Sequence, residues 1–182
     1  MDMSEKVTLL DKTFVKYILS DKIDSEIARV AAEITEEYSN DDPIMLITLN
    51  GAVIFAVDLL KHLDFPCRIT CVKVSSYSGT ECTGKINSLI GLNEDVRDRR
   101  VLIIEDIVDT GATYRHLYDM LTEAGAKDVR IATMTMKPDA YKGELPIHYV
   151  GLKIPNKFVV GRGLDYDGYG RNLNDIYQVF DS

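Results

Sequence analysis

Tryptophan is absent from this chain and histidine is nearly so: His62, His116 and His148 stand far apart, with no His-x-x-x-His pair. They build neither an imidazole metal cage nor a Ser-His-Asp constellation. Cysteine is as scarce. Cys67, Cys71 and Cys82 are odd in number and form no Cys-x-x-Cys pair, which argues against a disulfide framework and against a zinc site. Cys67 and Cys71 read instead as small apolar residues of a strand. No apolar run is long enough to cross a bilayer, and residues 1–20 lack the layout of a signal peptide. A reducing, cytoplasmic setting away from membranes is therefore expected. A basic surplus is missing too: 21 Lys and Arg face 29 Asp and Glu, a net charge of -8. Nonspecific nucleic-acid binding needs a basic face, so nucleic acid is not an expected partner.

What is present is an ordinary globular composition, 46% hydrophobic and 27% charged, over 182 residues. That length suits one domain with a core of its own, and no linker or repeat divides it. Short apolar groups at 7–10 and 14–19 read as leader or edge strands. Ser20 or Asp21 is expected to cap a helix that presents Ile23, Ile27, Val30, Ala31 and Ile34 on one face. Buried strands follow at Ile44–Leu49, Cys67–Ser75, Val101–Ile104, Val129–Met136 and Pro146–Gly151, with helices after the first and third. Strands alternating with helices indicate an α/β domain around a mostly parallel sheet, whose ligands gather at the carboxyl ends of the strands.

The densest chemistry lies in Val101–Tyr114. Val101 to Ile104 run without alternation, as in a strand covered on both faces. Glu105, Asp106 and Asp109 crowd its far end, and Thr110-Gly111-Ala112-Thr113 opens a helix that stops at Gly125. First-turn amides of such a helix lack intrahelical partners and point at an incoming anion. Three carboxylates would repel a bare phosphate, so the ligand should also bring hydroxyls or a divalent cation. A sugar phosphate with Mg²⁺ meets both conditions. Without further context, a solvated acidic loop with Thr110 as a helix cap is the competing reading.

This run resembles the signature of the phosphoribosyltransferases that bind phosphoribosyl pyrophosphate: a hydrophobic strand, two acids, then Asp-Thr-Gly-x-Thr. Three further segments resemble its hypoxanthine-guanine members, in family order. Leu49-Asn50-Gly51-Ala52 is similar to the turn that wraps pyrophosphate, except that Asn50 replaces a cation. Ser76-Tyr77, in a polar loop, is similar to the pair that closes as a lid. The tail from Lys157 to Tyr166 is similar to the purine hood. The resemblance implies a type I phosphoribosyltransferase fold: an α/β core at about 20–150, with a mostly parallel twisted sheet flanked by helices, and a small hood from about 1–19 and 151–182.

It implies transfer of 5-phosphoribose from phosphoribosyl pyrophosphate to hypoxanthine or guanine, yielding IMP or GMP and pyrophosphate. Its roles fall residue by residue. Glu105, Asp106, Asp109, Thr110, Gly111, Ala112 and Thr113 hold the phosphoribosyl group, with Asp109 as general base. Leu49, Asn50, Gly51 and Arg171 hold pyrophosphate. Lys137 grips the six-oxo group, Phe158 stacks on the purine, Val159 offers main-chain hydrogen bonds and Asp165 reaches the exocyclic amine. Mg²⁺ is the implied cofactor, held by Glu105, Asp106 and Asp165 directly or through water and substrate. A homodimer or homotetramer is the implied assembly. Arg162 stands where an aromatic residue is often found, which leaves base preference open.

Other readings compete. Gly79 to Ile86 matches a Walker A loop except at its last position, where Ile86 lacks the hydroxyl for Mg²⁺. Asp165, Asp167 and Gly170 have calcium-loop spacing, but Ile176 sits where the bidentate Glu belongs. A nucleotide-sensing regulator on the same fold, or a transferase for another base, are the remaining alternatives.

Overall fold

The computed structural model describes residues 5–75 and 87–180. In chain order the elements are β1 (Lys6–Leu9), β2 (Lys12–Ile18), α1 (Ser20–Tyr38), β3 (Ile44–Leu49), α2 (Val53–Leu60), β4 (Arg68–Ser75) and β5 (Asn87–Ile90). Then follow β6 (Arg100–Val108), α3 (Ala112–Glu123), β7 (Asp128–Met136), β8 (Tyr149–Lys153), β9 (Val159–Val160) and β10 (Ile176–Val179). The Ser76-Tyr77 pair and the Walker-like Gly79–Ile86 run lie outside the described residues.

The unbroken apolar runs form the middle of a six-stranded sheet ordered β5-β4-β3-β6-β7-β8. Five of these strands, β4 to β3 and β6 to β8, pair in parallel, while β5 joins β4 antiparallel. Successive residues of a strand face opposite sides. Met45, Ile47, Leu102 and Ile104 accordingly pack with Ile23, Ile27 and Ile34 of α1 and Phe55 and Leu59 of α2. Ile44, Leu46, Val101 and Ile103 pack with Leu117 and Leu121 of α3. With both faces covered there is no polar side to alternate with, which explains the continuous runs.

The terminal segments build a second, antiparallel sheet ordered β1-β2-β10-β9, around Phe14, Val160 and Tyr177. This is the hood. It also supplies a contact that local sequence could not reveal. α1 begins at Ser20 with Leu19 as N-cap, and neither Ser20 nor Asp21 caps it. The Ser20 N–H donates instead to Asp175 Oδ1 at 2.7 Å, from just before β10. Asp175 also pairs with Lys16 at 2.9 Å, so one carboxylate ties the tail to β2 and α1.

The last core strand starts later than expected, at Tyr149 rather than Pro146. Its first partner is Ala132 on β7. Pro146 has no N–H to give the ladder, and residues 146–148 remain outside it.

Candidate active site

After β3 the chain turns to β4 on one side, while β6, β7 and β8 extend the sheet on the other. A crevice at the carboxyl ends of β3 and β6 follows from that reversal. The parallel register determines what meets there. Ile47 pairs with Ile104, the last pair of that ladder, and the turn after β3 then comes against Asp106. Val108 pairs with Met136, so Asp109 and Lys137 are brought together one residue later.

The turn after β6 leads directly into α3 through a left-handed glycine. Gly111 is the N-cap of α3 with φ 87, a left-handed angle that disfavours any side chain. A Cβ there would also come within 2.4 Å of the Tyr141 ring, which packs beneath the turn. The Ala112 N–H reaches only Thr110 Oγ1, at 3.5 Å, while the backbone ladder starts with Arg115 N–H to the Gly111 carbonyl at 2.9 Å. The amides of the first turn are thus open to an anion. Glu105, Asp109, Thr110, Gly111, Ala112 and Thr113 all line one cavity of about 170 Å³.

Glu105 is only 6% exposed, and its Oε2 is buried without a hydrogen-bond partner among the described residues. Burial first, and the neighbouring Asp106 carboxylate second, hold its pKa well above the usual range. Burial raises Asp106 as well, opposed by the Ile107 N–H, which donates to Asp106 Oδ1 at 2.9 Å, and by the Arg171 charge. An orphaned buried carboxylate oxygen is costly, and it suits a site completed by hydroxyl donors or a cation.

The turn after β3 touches this acid. A Cβ on Gly51 would lie 1.6 Å from Asp106 Oδ2 and 3.2 Å from Arg171 Nη1. Arg171 in turn pairs with Asp165 Oδ1 at 2.7 Å and donates to the Gly163 carbonyl at 2.7 Å. Gly51, Asp106, Arg171 and Asp165 are therefore linked through successive contacts. Asn50 is exposed and follows a cis Leu49–Asn50 peptide.

Lys137 is buried at the end of β7, and its Nζ donates to Asp109 Oδ2 at 2.8 Å. Sequence reading gave the two residues separate roles and missed their pairing. On the hood, Phe158 is 45% exposed, with Phe14 at 6.2 Å and an edge-on Tyr166 at 5.8 Å between ring centroids. It is a supported ring with a free surface, not a core residue. The Phe158 carbonyl accepts from Val179 N–H at 2.9 Å across the β9–β10 pair. Neighbouring residues of an antiparallel strand point their polar groups to opposite sides, so the Val159 N–H and C=O lie on the unpaired edge. Tyr166 and Phe14 beneath Phe158, and Tyr141 beneath Gly111, were not singled out in the sequence. Phe14 and Tyr141 act through packing and carry no local motif, while Tyr166 ends the hood segment without a role assigned there. Arg162, at the position where an aromatic residue is often found, turns its guanidinium onto Asp24 and Asp58 of α1 and α2.

Comparison with known proteins agrees with this fold. Residues 18–167 match the phosphoribosyl transferase domain family. A hypoxanthine-guanine phosphoribosyltransferase of Streptococcus pneumoniae is 38% identical over 167 residues, covering 91% of this chain and 93% of that one. A hypoxanthine-guanine-xanthine phosphoribosyltransferase of Tritrichomonas foetus is 38% identical over 154 residues, covering 84% of each chain. The crystal structure of a hypoxanthine phosphoribosyltransferase from Staphylococcus aureus superposes with a TM-score of 0.85 at 34% identity, over 91% of this chain and 90% of that one.

Proposed function

The chain belongs to the phosphoribosyl transferase domain family, and from that premise we propose that it transfers 5-phosphoribose from phosphoribosyl pyrophosphate to a 6-oxopurine, hypoxanthine or guanine, giving IMP or GMP and pyrophosphate in purine salvage. The observation that carries the reading is the amide-lined cavity after β6, bordered by the buried Glu105 and joined through Asp109 to Lys137.

In this mechanism the open amides and hydroxyls of Thr110–Thr113 bind the five-prime phosphate, and Glu105 and Asp106 accept from the two ribose hydroxyls. The Leu49–Gly51 turn and Arg171 stabilise the pyrophosphate as its charge grows on departure. The anomeric carbon becomes cation-like beside the acidic cluster. Phe158 stacks on the purine, Val159 bonds its edge, Asp165 meets the exocyclic amine and Lys137 donates to the six-oxo group. Asp109 takes the proton that the purine nitrogen loses as it bonds to carbon. Its Oδ2 is occupied by Lys137, which leaves Oδ1 for that proton.

A magnesium cage made by protein alone does not fit, because no group of three or more candidate ligands forms among the described residues. Glu105, whose Oε2 has no hydrogen-bond partner among the described residues, with Asp106 and Asp165 would hold an ion directly or through water and substrate. When bound, Mg²⁺ would neutralise charge on the leaving pyrophosphate.

Pyrophosphate release is expected with hypoxanthine or guanine and Mg²⁺, and is expected to vanish with EDTA. Release with only adenine, orotate or uracil, or with no base at all, would overturn the assignment. Base–aromatic stacking is worth about 1–3 kcal/mol, so Phe158→Ala should raise the KM for hypoxanthine about five- to hundredfold with that for phosphoribosyl pyrophosphate little changed. An unchanged hypoxanthine KM would remove Phe158 from the purine site. A cytoplasmic homodimer or homotetramer completes the proposal. Light scattering reads that assembly directly.

A further inference from the structure

One buried guanidinium lies outside this machinery. Arg162 is 8% exposed and sits in the tail with φ 52, between Gly161 and Gly163, which are also left-handed. Its Nη2 meets Asp24 on α1 and lies 3.5 Å from Asp58 Oδ2 on α2, and its Nη1 donates to Asn174 Oδ1 at 2.9 Å. α1, α2 and the tail thus converge on one cation. A charge withdrawn from water is tolerated only when well paired, and here two carboxylates and an amide supply the pairing.

The neighbouring backbone gives this cluster a consequence at the site. A Cβ on Gly163 would lie 2.0 Å from the Gly51 carbonyl, so the tail and the pyrophosphate turn are packed backbone on backbone. Gly163 N–H donates to the Arg171 carbonyl at 2.9 Å, and its own carbonyl accepts from the Arg171 side chain. On the other side of Arg162, β9 presents the free edge of Val159. α2, which carries Asp58, begins directly after the Gly51 turn.

We propose that Arg162 is a positioning residue whose ion pairs to Asp24 and Asp58 hold the purine hood in register with the pyrophosphate turn. Both subsites then depend on a side chain whose hydrogen-bond and ion-pair partners include neither Phe158 nor Gly51. A guanidinium suits the task because its planar fork can serve several acceptors at once, which an ammonium does less well. The inference rests on the reading of the Gly51 turn and the 158–171 tail as substrate subsites.

Steady-state kinetics of Arg162→Met, Arg162→Lys and Asp58→Asn, with thermal melts, test it. Arg162→Met is expected to raise KM for hypoxanthine and for phosphoribosyl pyrophosphate each about tenfold, with kcat within about threefold of wild type. Arg162→Lys should recover part of both losses. Asp58→Asn should raise the KM for phosphoribosyl pyrophosphate about threefold, and it decides the matter if Arg162→Met does not fold. A lowered melting temperature with both KM values unchanged would overturn the clamp alone. A wild-type protein that turns over no 6-oxopurine would overturn the functional reading and the clamp together.

Discussion

Replacing Asp109 by Asn is expected to lower turnover about 10²–10⁴-fold, the range that a positioned general base contributes. The substitution keeps the side-chain shape. Its amide oxygen can still accept from Lys137, which lies 2.8 Å from the native carboxylate. What it removes is the negative charge and the capacity to take a proton. The loss should therefore fall on kcat, with KM for phosphoribosyl pyrophosphate close to wild type. The buried Lys137 cation loses a charged partner, so stability should fall on the order of 1–2 kcal/mol, measurable by urea unfolding. Turnover within tenfold of wild type in a folded variant would exclude Asp109 from the proton transfer.

The second large effect is steric. Gly51→Ala introduces a Cβ 1.6 Å from Asp106 Oδ2 and 2.5 Å from its Cγ, separations that no packing tolerates. Either Asp106 swings away from the proposed ribose position or the turn after β3 retreats. Retreat is hindered by Gly163, whose backbone already packs on the Gly51 carbonyl. A displacement of about 1 Å at a substrate-positioning group can cost about 10²-fold in rate. kcat/KM for phosphoribosyl pyrophosphate is expected to fall by that order. Gly91→Ala is the matched control, because nothing among the described residues lies within 4 Å of its Cβ and it needs no left-handed angle. Equal kinetics for the two variants would show that the Gly51 turn does not touch the substrate.

The parts of the site that were legible in advance are contiguous in the chain. Strand β6, its acids, the Thr110–Thr113 turn and the start of α3 follow one another without interruption, so hydrophobic pattern and residue type suffice to read them. The hood residues Phe158 and Val159 were legible only through resemblance, because a stacking ring and a core ring look alike in sequence. Phe158 is half out of the fold, which local pattern did not reveal. The Asp175 contact that starts α1 was misread for a similar reason: Ser20 and Asp21 are good caps by type, but a carboxylate 155 residues away took the hydrogen bond.

Order along the chain thus determined that this protein has a buried parallel sheet, and that one of its strands carries acids near its end and runs through a Thr- and Gly-containing turn into a helix. Periodicity and turn chemistry act over a few residues, and both survive without knowledge of the partners. Strand order and register decided the rest: which turn lies beside Asp106, that Lys137 reaches Asp109, and that Arg162 faces two helices rather than a base. Those outcomes depend on pairings between segments tens of residues apart, which no short stretch encodes, because the hydrogen bonds and burial that select them exist only once the layers have packed.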